Sequence, residues 1–344
     1  MKKKNLIFVA VILSLLMLSC TKKDDPEIAS EVPSNNIVFT TIDKIYKIDI
    51  NSKVQQEIFR CDSLSSYGDI QLSPNKKKIF FSAKVRNSNR QIFTLNLDGT
   101  GVKQISNQNF DVLYPVLSPD GSKISFVKYG YPKSYLCIVD ATGKNETIIL
   151  SAENLCYPIW SPDGSKIAMQ AGLYSYYAQI IIINTDGSEV KELTNFSSPF
   201  GYNRNKMCWT NDSKKIIFST TTTSYDRGSI GYINISDKSS KWLTSSGEDG
   251  MIDISPNGEK IAFISRRDGN EEIYTMDFDG KNQKRLIIST LYESTPKWLS
   301  DSKRIAYLYR GGSNDILYII NSDGTDQLQL TEGISYNGLS SFDL

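Results

Sequence analysis

The sequence Tyr-Pro-Ile-Trp-Ser-Pro-Asp-Gly-Ser-Lys-Ile-Ala-Met, at residues 157–169, recurs in variant form along most of the chain. It predicts a strand, a tight turn and a second strand. In the turn Ser161–Gly164, Pro presets the backbone at the first turn position, Asp can bond to its own main chain, and Gly accepts a positive φ. The fold is therefore expected to be built from hairpins of this kind.

The turn is repeated at an almost constant spacing. Its six copies start at Ser73, Ser118, Ser161, Thr210, Ser255 and Leu299, at intervals of 45, 43, 49, 45 and 44 residues. Each copy precedes an apolar triplet such as Ile261–Phe263, and a seventh triplet, Ile37–Phe39, has no turn before it. A third strand, a second turn that is often Asp-Gly, and a fourth strand follow. Four short strands with this period are typical of a propeller blade, whose expected period is about 40–50 residues.

These residues resemble the TolB-like, or WD40-like, β-propeller repeat, whose hallmark is Pro-x-Trp-Ser-Pro-Asp-Gly followed by an Ile-Ala-Phe strand. The resemblance covers residues 37–344 and implies an all-β propeller. Counting triplets predicts seven four-stranded blades, whereas the TolB propeller has six, so six blades remain the alternative. We expect Ile37–Thr40, Lys44–Asp49 and Val54–Phe59 to form three strands of blade 1. The segment 337–344 should supply its innermost strand and close the ring.

Two departures from the resemblance carry expectations of their own. TolB has an α/β domain before its propeller, and the sixteen residues between Cys20 and Ile37 leave no room for one. Lys76, Ser213 and Ser302 stand where the other turns have Gly. Those three turns are expected either to carry strain of up to about 1 kcal/mol or to change type.

The N-terminal segment is typical of export. Lys2–Lys4 are basic, and the run from Leu6 to Leu18 is apolar apart from Ser14 and shorter than the roughly 20 residues that a membrane span needs. Leu16–Cys20 resembles the lipobox of bacterial lipoproteins. The resemblance implies cleavage before Cys20 and its acylation by long chains such as palmitate, so that lipid alone holds the protein in the membrane. The expected divisions are a signal peptide over 1–19, an anchored linker over 20–36 and the propeller over 37–344.

The linker bears on localisation. The run Lys22–Asp25 resembles the acidic export tag that sends lipoproteins of Bacteroidetes-type bacteria to the outer face of the outer membrane. We therefore expect an outer-membrane lipoprotein and favour the cell surface. A solvated linker explains the same residues, so the periplasmic face remains open.

Composition excludes several classes of function. Without the three lysines of the signal peptide the chain has 36 basic and 38 acidic residues, which favours no nucleic-acid partner. The absence of histidine excludes Ser-His-Asp and Cys-His catalysis and every His-ligated metal site, including the metal-binding histidines of pectin-degrading lyases with similar propellers. No cofactor or metal is expected, and the run Asn321–Asp326 is interpreted as a hairpin rather than a calcium loop. Cys61, Cys137, Cys156 and Cys208 are either free thiols or disulfide partners.

The candidate binding residues lie in loops expected on one face, around the mouth of the central channel. Loops that enter the innermost strands contribute acids, and loops between second and third strands contribute Tyr and Arg. The residues selected are Asp69, Asp111, Glu153, Glu293, Tyr174, Tyr176, Tyr177, Tyr225, Arg227, Arg266, Arg267 and Arg310. Glu248, Asp249, Glu332, Tyr129 and Tyr131 belong to the same loops. Such acids also bond loop amides in this class of repeat, which is the structural alternative for each of them.

Three functions follow from these observations. The first is a non-catalytic module that binds an envelope protein or a glycan at the channel mouth. The second is a glycoside hydrolase or lyase, which requires two carboxylates within about 5–9.5 Å and one raised pKa. The third is a scaffold of an envelope complex, bound through the side or the opposite face.

Overall fold

The computed structural model describes residues 36–41, 43–62, 64–85, 88–172, 179–194, 207–220, 228–245, 248–290, 292–311, 314–332, 334–335 and 341–343. Its strands form seven separate antiparallel sheets, each with a path of four strands. The prediction of a seven-bladed all-β propeller is thus confirmed, and the six-bladed alternative is wrong. No helix in the described part of the chain is long and apolar enough to cross a membrane.

Each blade runs from an innermost strand at the channel to an outermost strand at the rim. The innermost strands are β4 (Leu64–Leu72), β8 (Val112–Leu117), β12 (Cys156–Trp160), β16 (Cys208–Trp209), β20 (Asp249–Ile254), β24 (Tyr292–Trp298) and β29 (Ser341–Asp343). The second strands are β1 (Asn36–Thr40), β5 (Lys78–Val85), β9 (Lys123–Lys128), β13 (Lys166–Ala171), β17 (Lys215–Ser219), β21 (Lys260–Ser265) and β25 (Arg304–Gly311).

The outer half of each blade follows the same order. The third strands are β2 (Lys44–Asp49), β6 (Arg90–Asn96), β10 (Ser134–Asp140), β14 (Gln179–Asn184), β18 (Ile230–Asn234), β22 (Glu272–Asp277) and β26 (Asn314–Asn321). The outermost strands are β3 (Gln55–Arg60), β7 (Lys103–Gln104), β11 (Thr147–Ala152), β15 (Lys191–Glu192), β19 (Ser240–Trp242), β23 (Lys284–Arg285) and β27 (Leu328–Gln329). A short strand, β28 (Ile334–Ser335), also pairs with β26.

Blade 1 is assembled from both ends of the propeller sequence. β29 pairs antiparallel with β1, with Val38 opposite Asp343 and Thr40 opposite Ser341. β1 then pairs with β2, and β2 with β3. The C-terminal segment therefore supplies the innermost strand of blade 1, as predicted from the sequence.

The Ser of the Ser-Pro-Asp-Gly turn holds the hairpin together. In five of the six turns a Ser or Thr hydroxyl accepts a hydrogen bond from the amide five residues later, at 2.9–3.0 Å. The same hydroxyl donates to the Asp or Asn side chain two residues later, at 2.6–2.7 Å. Leu299 has no hydroxyl in the sixth turn, and there Asp301 Oδ1 accepts from the Arg304 amide at 3.0 Å.

The Trp of the repeat joins neighbouring blades. Trp160 Nε1 donates to the Val116 carbonyl of the preceding blade at 3.1 Å, and Trp209 Nε1 donates to the Ile159 carbonyl at 3.1 Å. Each indole is almost fully buried, so loss of the carbonyl acceptor would leave its N–H unpaired and lower the free energy of unfolding. Trp160 and Trp209 therefore fix the spacing of the innermost strands of blades 3, 4 and 5.

The hydrophobic core lies between blades rather than at the centre of the ring. Seven clusters of buried residues each combine side chains of two consecutive blades. In the cluster that joins blade 7 to blade 1, Ile37 and Phe39 pack with Ala306, Leu308 and Leu317. Because the last blade packs on the first in this way, the ring is closed by apolar burial as well as by β29.

Candidate functional site

The channel-mouth face consists of the loops that enter the innermost strands and the loops between second and third strands. Backbone hydrogen bonds join the two sets within a blade: the Tyr129 amide donates to the Asp111 carbonyl at 3.0 Å, and the Arg266 amide to the Glu248 carbonyl at 3.1 Å. The two predicted sets of loops therefore do meet on one face.

A β-bulge interrupts five of the innermost strands at the same point. In each bulge a residue other than Gly has a positive φ: Asp69 (43°), Tyr114 (54°), Tyr157 (53°), Met251 (51°) and Thr295 (55°). The pairing with the second strand shifts register at each of these points. Bulges re-aim side chains and are frequent beside functional sites. Here they act on the strands that line the channel.

Three consecutive blades place polar or aromatic bulge residues side by side. The rings of Tyr114 and Tyr157 lie 4.5 Å apart between centroids, and burial raises the pKa of Tyr114, with Tyr157, Cys156 and Asp69 adding to the effect. Asp69 is exposed and accepts a hydrogen bond from Ser82 Oγ at 3.2 Å. Asp69, Tyr114 and Tyr157 thus form a row on the inner strands.

This row corrects one prediction and adds two residues. Asp69 was expected in a loop, but it lies within β4, because that strand begins five residues earlier, at Leu64. Sequence reasoning missed Tyr114 and Tyr157. The signal was present, since both stand directly before the Pro of the repeat and four residues before the turn Ser.

Asp111 has a structural role. Its carboxylate Oδ1 accepts a hydrogen bond from the Arg90 amide at 2.6 Å and so joins the entrance of blade 3 to the third strand of blade 2. This agrees with the alternative that acids before the first strand bond loop amides. Glu153, by contrast, makes no side-chain hydrogen bond or ion pair with any residue in the described ranges.

Arg267 is held by a set of buried contacts in blade 6. Its Nη2 donates to Asp249 Oδ1 at 2.8 Å, Nη1 to Gln283 Oε1 at 2.6 Å and Nε to Ser265 Oγ at 2.9 Å. Its guanidinium also lies over the Tyr274 ring, 4.9 Å from the centroid. Because Asp249 is fully buried, the ion pair with Arg267 takes the place of water around the carboxylate. These contacts engage all three guanidinium nitrogens of Arg267, so few of its N–H groups can bind a ligand. A cavity of about 320 Å³ lies beside Arg267 and Trp242.

Arg266 and Arg310 are each engaged with an acid of the same blade. Arg266 Nη2 donates to Glu271 Oε1 at 2.8 Å. Arg310 Nε lies 3.9 Å from Asp315 Oδ1 on the neighbouring strand. Both arginine side chains remain about two-fifths exposed, so they can also meet a partner.

Glu293 is the most deeply buried of the four selected acids. It is fully buried at the start of β24, accepts a hydrogen bond from Ser289 Oγ at 2.6 Å, and its Oε2 has no hydrogen-bond partner in the described residues. Burial raises its pKa, as it does for Asp315. A raised pKa suits a general acid, but neither carboxyl is accessible to a substrate. In blade 6, Glu272 is equally buried and pairs with Arg285.

Three exposed aromatic residues of this face belong to blade 3. Phe110, Tyr129 and Tyr131 are 49%, 55% and 99% exposed. Phe110 directly precedes Asp111, whose carbonyl accepts from the Tyr129 amide, so the entrance loop and the loop after the second strand bring Phe110 and Tyr129 together. We name these three residues the aromatic patch. Exposed aromatic side chains of this kind are enriched in protein interfaces.

Several predicted residues cannot be placed. Tyr174, Tyr176, Tyr177, Tyr225 and Arg227 lie outside the described residues, as do Cys20 and the expected signal peptide and linker. Among the cysteines, Cys137, Cys156 and Cys208 are thiols rather than disulfide partners, and burial raises the pKa of Cys137 and Cys156 to about 12. Thiols with such pKa values are poor nucleophiles.

The loops with calcium-like spacing are hairpins, as interpreted. Asp323 Oδ1 accepts from the amide and hydroxyl of Thr325 at 3.0 and 2.7 Å, and Asp326 Oδ2 accepts from Asn321 Nδ2 at 2.8 Å. Within the described ranges no group of three or more His, Cys, Asp or Glu residues could hold a metal ion.

Comparison with known proteins identifies the repeat. The family model of the TolB beta propeller domain matches residues 125–341, more than half of the chain. The Tol-Pal system protein TolB of Wolbachia sp. subsp. Drosophila simulans is 32% identical over 82 residues, which are 23% of this chain and 20% of that protein. The match therefore spans about a fifth of the length of this relative.

Solved structures share the architecture. The crystal structure of TolB from Acinetobacter baumannii has a TM-score of 0.55 and 18% identity, over 93% of this chain and 89% of that chain. An oligogalacturonate lyase in complex with manganese has a TM-score of 0.68 and 15% identity, over 88% of this chain and 89% of that chain. At these identities the likeness concerns the fold alone.

Proposed function

Because this chain belongs to the TolB beta propeller domain family, we propose that it is a non-catalytic protein of the bacterial cell envelope that binds a protein partner at its channel-mouth face. The observation that carries the proposal is the aromatic patch Phe110, Tyr129 and Tyr131. Aromatic side chains supply large contact area with few rotatable bonds, which is the usual composition of a binding hot spot. The row Asp69, Tyr114 and Tyr157 extends such a surface toward the channel.

The state of the acids supports binding over catalysis. Two-carboxylate mechanisms need an accessible acid with a raised pKa beside a second carboxylate. Among the described carboxyls, the two with a raised pKa, Glu293 and Asp315, are at most 4% exposed. The exposed Asp111 instead binds a backbone amide.

We also propose that the chain is anchored by lipid at Cys20 in the outer membrane, with residues 1–19 as a signal peptide and 20–36 as a linker. The lipobox-like run Leu16–Cys20 supports the anchor, and Lys22–Asp25 favours the cell surface. A Cys20→Ser variant should move from the membrane fraction to the soluble fraction and lose incorporation of a palmitate analogue. Protease treatment of intact cells distinguishes the two faces of the outer membrane.

The binding site can be tested by affinity capture from membranes of the native organism. A variant with Phe110, Tyr129 and Tyr131 changed to Ala should lose a partner that the native protein recovers. The matched control changes Val54 and Val190 to Ala, because these residues are 63% and 51% exposed on the opposite face. Equal recovery of the partner by both variants contradicts the proposal and favours the scaffold. Turnover of glycans by the purified protein would instead establish the enzyme.

A further inference from the structure

The outermost strand of blade 3 differs from most of the others in length. β11 has six residues, whereas the outermost strands of blades 2, 4, 6 and 7 have two and that of blade 5 has three. Only β3 in blade 1 matches it among the described strands. An outermost strand is the free edge of its sheet, so length there is the property that natural proteins usually restrict.

A side-chain hydroxyl explains why four of the other strands are short; in blade 6 the equivalent residue is Ile287, and β23 is short without a hydroxyl. In four blades a Ser or Thr at the end of the outermost strand accepts a hydrogen bond from an amide of the third strand, and so replaces the next backbone pairing. These residues are Ser106, Thr194, Thr244 and Thr331, at 2.9–3.0 Å. In blade 3 the corresponding residue is Leu150, which has no hydroxyl, and the pairing continues to Ala152.

Blade 3 also lacks a second protective device. In blades 2, 4, 5 and 6 a Lys of the outermost strand donates to a carbonyl of the next blade. The four contacts are Lys103 to Thr142, Lys191 to Ser236, Lys241 to Asp279 and Lys284 to Asp323, at 2.6–3.4 Å. The equivalent residue of blade 3 is Thr147. Two residues after it, the Ile149 carbonyl faces Gly187 of the next blade, just as the Ile105 carbonyl, two residues after Lys103, faces Gly143. Thr147 is too short to make this contact.

The composition of β11 completes the picture. The strand Thr-Ile-Ile-Leu-Ser-Ala has no charged residue and no Pro, and Ile148 is 52% exposed. β3, of equal length, contains Glu57 and Arg60. Long, uncharged and β-branched edges are templates for a further strand. Glu153 follows β11 directly, and its carboxylate has no partner in the described residues.

We propose that β11 is a docking edge for an extended segment of a partner protein, which adds as an antiparallel fifth strand to blade 3. The segment would be uncharged and rich in β-branched residues, with a basic residue at its N-terminal end opposite Glu153. Main-chain hydrogen bonds supply the affinity in such strand addition, and alternate side chains supply the specificity. The site lies on the side of the propeller and meets the channel-mouth face only at Glu153, so it does not depend on the function proposed above.

The probe is the capped peptide Lys-Thr-Val-Thr-Val-Thr with a neutral fluorophore, titrated with the purified propeller in a fluorescence anisotropy measurement. Thr147→Lys introduces the residue that four other blades carry and should weaken binding by on the order of tenfold without loss of stability. Gln56→Lys, at the equivalent position of blade 1, should leave binding unchanged. Replacing the Lys of the peptide by Glu should weaken binding by about two- to fivefold, as expected for an exposed ion pair.

Two further peptides test the geometry. Each is N-methylated at every second residue, one at the odd and the other at the even positions. Only every second amide of an added strand donates a hydrogen bond to the edge of the sheet. One peptide should therefore keep its affinity and the other should lose it.

Four outcomes would overturn the proposal. If the wild-type protein does not bind the peptide, β11 is not a docking edge. The same conclusion follows if the Thr147→Lys and Gln56→Lys variants bind the peptide with equal affinity. Equal effects of the two methylation patterns contradict strand addition. Self-association of the wild type that Thr147→Lys abolishes in sedimentation would make a second copy the occupant of this edge.

Discussion

Lys76, Ser213 and Ser302 adopt the left-handed conformation that Gly adopts in the other three turns. Their φ values are 52°, 57° and 55°, and each amide donates to the first carbonyl of the turn as the glycines do. The turn type is thus retained. Of the two expected consequences, a change of turn type or backbone strain, backbone strain is the one that applies. Ser213 Oγ accepts a hydrogen bond from the Asp163 amide at 3.2 Å, and Ser302 Oγ accepts one from the Asn257 amide at 3.1 Å. Each bond comes from the equivalent turn of the preceding blade and offsets part of this strain.

Replacing Lys76 by Gly should therefore stabilise the protein. We expect a gain of about 0.5–1 kcal/mol in the free energy of unfolding, because Gly has no Cβ penalty at positive φ. Ser213→Gly loses an interblade hydrogen bond and should be close to neutral. Urea denaturation of both variants measures the difference, and a larger gain for Ser213→Gly would contradict the explanation.

A second residue-scale prediction concerns pH. Burial raises the pKa of Glu293 above its usual 4.5. The folded state then binds a proton more tightly than the unfolded state, so stability falls as pH rises from 4.5 through the folded pKa. Glu293→Gln keeps an oxygen for Ser289 and should remove this loss, leaving the variant relatively more stable near neutral pH. Thermal unfolding between pH 4 and 8 tests this, and curves that remain parallel for the two proteins would count against it.

The limits of sequence reasoning are clearest for single residues. The turn residues could be assigned because their position follows from the period. Asp69, Tyr114 and Tyr157 share one position relative to the turn, but the period alone does not reveal the bulge there, so their side-by-side arrangement was not predicted. Likewise, the pairing of Asp249 with Arg267 depends on burial that loop position does not reveal.

At the scale of elements, the Asp-Gly turns explain how one blade fits its neighbour. A Cβ on Gly99 would lie 2.1 Å from the Ile58 carbonyl oxygen of the preceding blade, and one on Gly280 would lie 2.8 Å from that of Leu243. Gly164, in a Ser-Pro-Asp-Gly turn, has nothing within 4 Å of the corresponding point. All three glycines have positive φ, but at Gly99 and Gly280 a side chain would also meet the backbone of the preceding blade.

This difference predicts unequal effects of Ala. Gly164→Ala should lower stability by about 1 kcal/mol through backbone strain alone. Gly99→Ala adds a clash with backbone atoms and should lower it by about 3 kcal/mol or more. Chemical denaturation of the two variants provides the comparison. Similar losses would mean that the contact between blades relaxes.

Most strands were predictable because each blade repeats the same apolar triplet and turns. The unequal lengths of the outermost strands were not, because in four blades they depend on whether one residue carries a hydroxyl, whereas β23 is short without one. Ser106 ends β7 after two residues, and Leu150 lets β11 continue to six.

For the whole molecule, closure is the property with the largest consequence for stability. Val38 and Phe39 are fully buried in two different interblade clusters, and β29 covers the inner edge of the strand that carries them. Removing residues 341–344 should therefore lower the melting temperature and promote association through the uncovered edge. A synthetic peptide of residues 337–344 should restore both properties, and size-exclusion chromatography with calorimetry tests this. A truncated protein as stable and monomeric as the full chain would show that the apolar interface closes the ring alone.

The start of β1 bears on how a lipid-anchored propeller would face the membrane. Asn36 pairs with Asp49, immediately before the turn between third and fourth strands, so the chain enters the ring on the side away from the channel mouth. β29 runs antiparallel to β1 and leaves on that same side. If lipid at Cys20 holds the protein, the bilayer would lie next to the face opposite the channel mouth, and the channel mouth would point away from the membrane. The aromatic patch would be presented to molecules that approach the membrane, and β11 would stand upright, with one end toward the lipid.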